Sequence, residues 1–194
     1  MIHSETDRPV HGGNLAWAAQ VAGCSPASLL DFSASISPLG IPPLVLAAIE
    51  SALRDLQHYP DPDYGMLREA LGRHHHLHSD QILPGNGAAE LLNWACRDLA
   101  LSDGVLLPVP AFGDYSRALE AFDARFVPCP LLQRQTWLKT DAILEMLLRR
   151  ARNYRRPGLL LNNPHNPTGL LLPREGLLTL LEVFDPVVVD EAFM

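Results

Sequence analysis

The chain has 194 residues, of which 47% are hydrophobic and 19% charged, a balance that predicts one sizeable core in a globular protein. Its formal net charge of −7 argues against nucleic acid and anionic membrane as main partners, because both would repel the average surface. No apolar run reaches the roughly 18 to 20 residues that a bilayer-spanning helix needs, and the opening MIHSETDRP lacks the apolar core of a signal peptide, so we expect a cytoplasmic location.

The first 42 residues predict an irregular N-terminal arm or part of a small domain. They contain a glycine pair and several prolines, with one short possible helix from Asn14 to Ala22. We predict that the main domain covers residues 43–194. Pro43 occupies a typical helix-start position, and apolar residues then recur at helical spacing to about Leu56.

A second helix is predicted from Met66 to Leu77, followed by a capping signal at Ser79 or Asp80. This helix contains three consecutive histidines, residues 74–76. Adjacent side chains on a helix point in different directions, so these rings would not converge on one ion. We therefore expect no metal site. The three cysteines are far apart and predict small buried residues rather than a disulfide framework.

From Ile82 onward, short apolar runs alternate with amphipathic stretches, which predicts an α/β domain with a mainly parallel sheet. The predicted strands are Ile82 to Pro84, Val105 to Val109, Arg125 to Val127, Leu159 to Leu161 and Val187 to Val189. The predicted helices are Ala88 to Ala100, Tyr115 to Phe122, Asp141 to Arg152 and Arg174 to Phe184.

Ligands of such sheets bind beyond the carboxyl ends of the strands, so the loops at those ends are candidate sites. The first predicted strand is followed by PGNGAAE, in which glycines lead directly into a helix. This pattern is typical of a phosphate-binding helix N-terminus, although it also occurs in ordinary turns. The next strand is followed by Phe112 and Tyr115, about one helical turn apart. An aromatic ring there is suited either to covering a planar ligand or to packing in the core.

The last two predicted strands end in NNPHNPTG and in Asp190. The Asn166 amide can donate or accept hydrogen bonds. A carboxylate at Asp190 can hold a protonated ring nitrogen, as an acidic partner does for a pyridinium, whereas Glu191 points to the other face. These loops together predict a small cofactor with a phosphate at one end and a basic nitrogen at the other. The prediction rests on a helix N-terminus suited to phosphate, an aromatic ring, an amide and a carboxylate.

The ordered set GNGAAELL, PVPAFGDY, NNPHNPTG and VVVDEAF resembles the fold type I pyridoxal-phosphate enzymes of the class I/II aminotransferase superfamily, in the histidinol-phosphate aminotransferase branch. Within that branch, HGGN, DFSASISPLG and YPD resemble the threonine-phosphate decarboxylases of cobalamin biosynthesis. The resemblance implies the N-terminal part of an aspartate aminotransferase-like large domain, which is incomplete within residues 43–194. It also implies pyridoxal 5′-phosphate as cofactor and a homodimer.

The resemblance further implies roles for individual residues. The cofactor phosphate would be bound by the backbone N–H groups of Gly87, Ala88 and Ala89. Phe112 would stack on the pyridine ring, Asn166 would bond the ring hydroxyl oxygen, and Asp190 would pair with the ring nitrogen.

Three N-terminal residues receive implied roles as well. Tyr59 would reach the cofactor phosphate of the neighbouring subunit, and His11 and Asn14 are candidates for binding the substrate phosphate. Two residues depart from the family pattern. Phe193 stands where aminotransferases of this branch often have a tyrosine, which favours the decarboxylase, and Ser37 stands where relatives often have asparagine.

The family forms a Schiff base between a lysine and the cofactor. Lys139 is the one lysine in the sequence, and its position just before a predicted helix is typical of an exposed surface residue. We therefore expect the catalytic lysine to be absent and the chain to be a C-terminally truncated fragment. The family's sheet places two later strands between Ile82–Pro84 and Val187–Val189, so we expect unpaired edges, poor folding of the chain alone and no activity.

For the complete enzyme, the resemblance implies decarboxylation of L-threonine O-3-phosphate to (R)-1-amino-2-propanol phosphate. One alternative is a transaminase like histidinol-phosphate aminotransferase, with the same cofactor and a phosphorylated amine substrate. A second alternative is a non-catalytic remnant that binds the cofactor without the lysine.

Overall fold

The computed structural model describes Pro9 and residues 12–194. The chain forms two compact units, residues 1–60 and residues 61–194. The predicted division into an N-terminal arm, residues 1–42, and a main domain, residues 43–194, stays a prediction. Every helix in the described part of the chain is too short or too polar to span a bilayer.

The described residues of the first unit form two α-helices, α1 (Leu15–Ala22) and α2 (Pro43–Ala52). The Asn14 side chain caps α1 by accepting a hydrogen bond from the Trp17 N–H at 3.0 Å. Pro43 is the first residue of α2, as predicted. The predicted continuation to Leu56 is a tighter 3₁₀-helix, Leu53–Gln57, and a short 3₁₀-helix also covers Pro26–Ser28.

The second unit begins with α3 (Gly65–His75) and a 3₁₀-helix, Ser79–Gln81. The prediction of a cap at Ser79 or Asp80 was wrong by one residue, because the ring of His78 supplies the cap. The predicted strand over Ile82 to Pro84 is also wrong. The Arg68 Nε donates to the carbonyl oxygens of Ile82 at 3.2 Å and Ser79 at 3.0 Å, so this segment lies along α3 and pairs with no strand of the described chain.

Four parallel strands form the main sheet, in the order β2-β1-β5-β6. These strands are β1 (Gly104–Val109), β2 (Phe126–Pro130), β5 (Pro157–Asn162) and β6 (Val187–Asp190). A small antiparallel pair, β3 (Leu132–Gln133) and β4 (Thr136–Trp137), was not predicted. Its strands have two residues each, too few for an alternating pattern to be visible in the sequence.

Helices cover both faces of the sheet, which gives three layers. These helices are α4 (Ala88–Leu99), α5 (Gly113–Glu120), α6 (Thr140–Ala151) and α7 (Arg174–Leu181). One core cluster joins α6 and α7 to Leu106, Leu159 and Leu161, and a second joins α4 and α5 to Val105 and Leu160. Successive strand residues thus face opposite layers, as the pleat of a strand requires.

The same alternation sets the direction of the last strand. Val187 and Val189 pack on the α6/α7 cluster, whereas Val188 packs on the α4/α5 cluster. Asp190 lies two residues beyond Val188, so its side chain is directed to the face that carries α4 and α5. The packing of Val188 on the α4/α5 cluster therefore places this carboxylate on the same face.

Candidate cofactor site

Three of the predicted site residues lie where parallel strands end, an edge of the sheet that we call the carboxyl edge. Phe112 follows β1, Asn166 follows β5 and Asp190 ends β6. Because β1, β5 and β6 are neighbours in register, their ends lie side by side. The open end of such a sheet is the usual place for a ligand.

The Asp190 carboxylate is held by two donors. The Tyr115 hydroxyl donates to Oδ2 at 2.7 Å, and the Ala192 N–H donates to Oδ1 at 2.9 Å. Burial, with the hydrogen bond to Asp190 and its negative charge as further causes, raises the pKa of Tyr115 well above its ordinary value. The tyrosine therefore stays protonated and acts as the donor.

The two aromatic residues after β1 have different environments. Tyr115 is 1% exposed and belongs to the α4/α5 core cluster, whereas Phe112 is 38% exposed. Their rings meet edge to face, with centroids 5.6 Å apart and an interplanar angle of 82°. The sequence left open whether an aromatic ring here packs in the core or covers a ligand. Tyr115 packs in the core, and Phe112 is the ring accessible at the carboxyl edge.

The loop after β5 is held by hydrogen bonds within itself and to its neighbours. The His165 N–H donates to the Leu170 carbonyl at 2.7 Å, and the His165 Nδ1 lies 2.7 Å from the Thr168 hydroxyl. Burial lowers the pKa of His165, so this ring favours the neutral form. Among the described residues, none hydrogen-bonds the Asn166 side chain. The loop thus presents the Asn166 amide with its polar atoms available to a ligand.

Asn163 ties this loop to the rest of the carboxyl edge. Its N–H donates to the Asp190 carbonyl at 2.9 Å. Its buried side-chain oxygen accepts a hydrogen bond from the Leu172 N–H at 2.8 Å, and its side-chain NH₂ donates one to the Leu172 carbonyl at 3.1 Å. The Asn163 side chain therefore satisfies buried backbone groups of Leu172 that a neighbouring strand would otherwise pair.

Asn163→Ala is expected to lower the free energy of unfolding by roughly 2 to 4 kcal/mol, because it leaves a buried N–H and a buried carbonyl unpaired. Chemical denaturation monitored by circular dichroism measures this change. Asn153→Ala is the matched control, since Asn153 is exposed and no described residue hydrogen-bonds its side chain. Equal stabilities of the two variants would contradict the role given to the Asn163 amide.

The glycine-rich segment forms a helix N-terminus, as predicted. Gly87 has a φ of 84°, a left-handed conformation that favours glycine, and Ala88 and Ala89 are the exposed first residues of α4. The first N–H groups of a helix have no intrahelical acceptor, so those of Ala88 and Ala89 are available to an anion. The Gly87 N–H instead donates to the Gly85 carbonyl at 2.9 Å.

Helix α4 lies on the same face of the sheet as the Asp190 side chain. Cys96 and Leu99 of α4 are completely buried in the cluster that contains Tyr115. This packing fixes α4 against α5 and β1. The N-terminus of α4 and the carboxylate therefore belong to one structural unit and one layer.

Three predicted site residues lie in the first unit or outside the described residues. Tyr59 is fully exposed near the end of the first unit. Asn14 uses its side-chain oxygen to cap α1, so its amide NH₂ is the part that remains for a ligand. His11 lies outside the described residues. The roles assigned to these three residues stay predictions.

Lys139 is exposed and lies just before the first residue of α6. Over Pro9 and residues 12–194, no group of three or more His, Cys, Asp or Glu side chains is arranged to hold a metal ion. The candidate groups are the first N–H groups of α4, the Phe112 ring, the Asn166 amide and the Asp190 carboxylate.

Comparisons with known proteins agree with this geometry. The family model for class I and II aminotransferases matches residues 27–194. The chain is 38% identical to the threonine-phosphate decarboxylase of Salmonella typhimurium over 191 residues, covering 95% of this chain and 50% of that protein. It is 32% identical to the adenosylcobalamin biosynthesis bifunctional protein CobDQ of Leptospira interrogans, covering 96% of this chain and 22% of that protein.

Among solved structures, the histidinol-phosphate aminotransferase of Sinorhizobium meliloti in complex with pyridoxal-5′-phosphate matches with a TM-score of 0.74 and 25% identity. The match covers 96% of this chain and 49% of that one. The chain thus spans half the length of the Salmonella decarboxylase and of this aminotransferase, and less of the bifunctional protein. Because the family model covers most of its residues, the chain belongs to the class I and II aminotransferase family.

Proposed function

We propose that the carboxyl edge binds pyridoxal 5′-phosphate, and that the complete protein decarboxylates L-threonine O-3-phosphate to (R)-1-amino-2-propanol phosphate. The observation that carries the cofactor assignment is the Asp190 carboxylate, held on both oxygens beside an accessible aromatic ring. The 38% identity to the Salmonella threonine-phosphate decarboxylase supports the choice of reaction.

The residues present fit this cofactor. Its phosphate suits the exposed first turn of α4, where the N–H groups of Ala88 and Ala89 have no intrahelical acceptor. Its ring hydroxyl oxygen suits the Asn166 amide, which no described residue occupies. Its ring nitrogen suits Asp190, and its ring face suits Phe112. When bound, pyridoxal 5′-phosphate supplies an electron sink for negative charge that develops on the substrate carbon.

The side chains of this chain bind and orient rather than transfer protons. The Asp190 carboxylate favours a protonated nitrogen opposite it, because the opposite charge stabilises the protonated form. Tyr115 and the Ala192 N–H restrict rotation of that carboxylate. Asn166 is carried on a loop that Asn163 ties to β6, so the amide and the carboxylate keep a fixed relation.

Two observations favour decarboxylation over transamination. The names of the two sequence relatives given above refer to threonine-phosphate decarboxylation and to cobalamin biosynthesis. In addition, Phe193 has no hydroxyl to offer at the position where aminotransferases of this branch often have tyrosine. A histidinol-phosphate-type transaminase is the second candidate, which the match to the Sinorhizobium aminotransferase supports. A non-catalytic cofactor-binding protein is the third, because Lys139 lies just before α6, outside the loops that carry Phe112, Asn166 and Asp190.

The test incubates the whole protein, as expressed from its gene, with pyridoxal 5′-phosphate and L-threonine O-3-phosphate. We expect release of carbon dioxide and formation of aminopropanol phosphate without any oxo acid. A requirement for 2-oxoglutarate, with an oxo product and no carbon dioxide, would support the transaminase instead. Reversible cofactor binding without either product would support the non-catalytic protein and contradict the proposed reaction.

Other expectations from the sequence and the resemblance stay predictions. They are a homodimer in which Tyr59 serves the neighbouring subunit, substrate-phosphate binding by His11 and Asn14, and a cytoplasmic location.

A further inference from the structure

We propose that Tyr115 is a positioning residue, whose hydroxyl orients the Asp190 carboxylate toward the cofactor ring nitrogen while its ring supports Phe112. This inference rests on the proposed function, since it assigns Asp190 to that nitrogen. It adds a residue that does not itself touch the cofactor. Tyr115 acts through Asp190 and Phe112, two of the side chains that are proposed to touch the ring.

The contacts of Tyr115 are those of a fixed support. Its side chain is 1% exposed and is surrounded by the α4/α5 core cluster, so its ring has little freedom to move. From this position its hydroxyl reaches Asp190 Oδ2 at 2.7 Å, and its ring edge packs on Phe112. A rigid core residue therefore sets the place of two side chains at the carboxyl edge.

Two hydrogen bonds hold the Asp190 carboxylate, and together they restrict its rotation. Tyr115 holds Oδ2, and the Ala192 N–H holds Oδ1. A turn of the carboxylate about its Cβ–Cγ bond would break both hydrogen bonds together. Among the described residues no arginine, lysine or histidine forms an ion pair with Asp190, so these two neutral donors carry the orientation. Hydrogen bonds to an ionised acceptor are the stronger kind.

The geometry also leaves room for a ligand. Each carboxylate oxygen offers about two lone-pair positions, and one on each is used. Asp190 is half-buried rather than enclosed, so a remaining lone pair is accessible to a ring N–H. Removal of the Tyr115 hydroxyl would leave Oδ2 without its donor and free the carboxylate to rotate. A carboxylate that turns away from the ring nitrogen no longer stabilises the protonated form of that nitrogen.

The test uses the whole protein with Tyr115→Phe, which removes one oxygen atom. The probes are pyridoxal 5′-phosphate labelled with ¹⁵N in the ring, and the deaza analogue in which a carbon replaces that nitrogen. We expect the ¹⁵N chemical shift to move toward that of an unprotonated pyridine, and the affinity for pyridoxal 5′-phosphate to fall about 3- to 10-fold, a part of what one hydrogen bond to a charged group contributes. Affinity for the deaza analogue should not change.

Tyr154→Phe is the matched control, because it deletes the same atom from a half-buried tyrosine packed near Gly104 and Arg125. Equal loss of affinity for both probes would mean that Tyr115 only supports the fold, and an unchanged ¹⁵N shift would also overturn the inference. Failure of the unsubstituted protein to bind pyridoxal 5′-phosphate would overturn the proposed function together with it.

A second substitution covers the case in which Tyr115→Phe does not fold. Replacing Tyr115 by 3,5-difluorotyrosine keeps the ring and its hydroxyl, adds two small fluorine atoms and makes the hydroxyl a stronger donor. A stronger hydrogen bond holds the carboxylate more firmly toward the ring nitrogen, so the ¹⁵N shift should move toward the protonated value. No movement, in a protein with an unchanged melting temperature, would overturn the inference.

Discussion

Asp190→Asn is expected to weaken binding of pyridoxal 5′-phosphate by about 10- to 100-fold, since a hydrogen bond to a charged group contributes roughly 1.5 to 3 kcal/mol. Asparagine keeps the shape of the side chain but removes the negative charge. Without that charge a protonated ring nitrogen is no longer favoured, so activity of the complete protein should fall by at least as much. Equilibrium dialysis or fluorescence titration measures the affinity.

Glu191→Gln is the matched control for Asp190→Asn. It removes the same charge one residue away, on an exposed side chain at the next position of the chain. A general effect of net charge would change the affinity equally in both variants. The proposed pairing predicts a large loss for Asp190→Asn and little change for Glu191→Gln, and equal losses would contradict it.

The second large effect is expected at the N-terminus of α4. Ala88→Pro removes one backbone N–H without disturbing the helix, because proline is well tolerated at the first helical position. Gly87 has a ψ of 163°, the extended value that a residue before proline prefers. Loss of one charge-assisted hydrogen bond to phosphate should lower the affinity for pyridoxal 5′-phosphate about 10-fold or more. The affinity for inorganic phosphate, measured as a competitor, should fall by the same factor.

Thr140→Pro is the matched control for the proline substitution. Thr140 is the first residue of α6, which has 12 residues as α4 has, and Lys139 before it has an extended ψ of 161°. Any general effect of an N-terminal proline should appear in both variants. Unchanged phosphate affinity in Ala88→Pro, with both proteins folded, would exclude the α4 N-terminus as the phosphate site.

Apart from the β3–β4 pair, the elements after residue 100 follow from the sequence because each contains enough periodic residues to identify it. Strand β6 and the position of Asp190 at its carboxyl end were predictable from VVVD, whereas the face of the carboxylate depends on the cluster that Val188 packs against. The start of α4 was likewise predictable after Gly87, where a glycine with positive φ opens the helix. Local pattern and local structure agree at these positions.

The segment at Ile82 was mispredicted because a short apolar run does not reveal its hydrogen-bond partner. A strand requires a neighbouring strand, and here the Ile82 carbonyl accepts from the Arg68 side chain of α3 instead. The small β3–β4 pair was missed for a related reason. Its turn contains Arg134 and Gln135 with positive φ, residues that carry no turn signal in the sequence.

The hydrogen bond between Tyr115 and Asp190 joins residues 75 apart in sequence, and no local pattern encodes it. The spacing of Phe112 and Tyr115 placed both rings near one helix start but left open which ring was buried. The choice depends on how α5 packs against α4 and the sheet. The double hydrogen bond between Asn163 and Leu172 likewise depends on a turn that the sequence does not specify.

We propose that one cofactor spans the carboxyl edge from the α4 N-terminus to Asp190. The decisive experiment is a crystal structure of the whole protein grown with pyridoxal 5′-phosphate. We expect the phosphate within hydrogen-bond distance of the Ala88 and Ala89 N–H groups, the ring against Phe112, and the ring nitrogen opposite Asp190. A cofactor bound elsewhere, or one bound here with its ring nitrogen away from Asp190, would contradict the account.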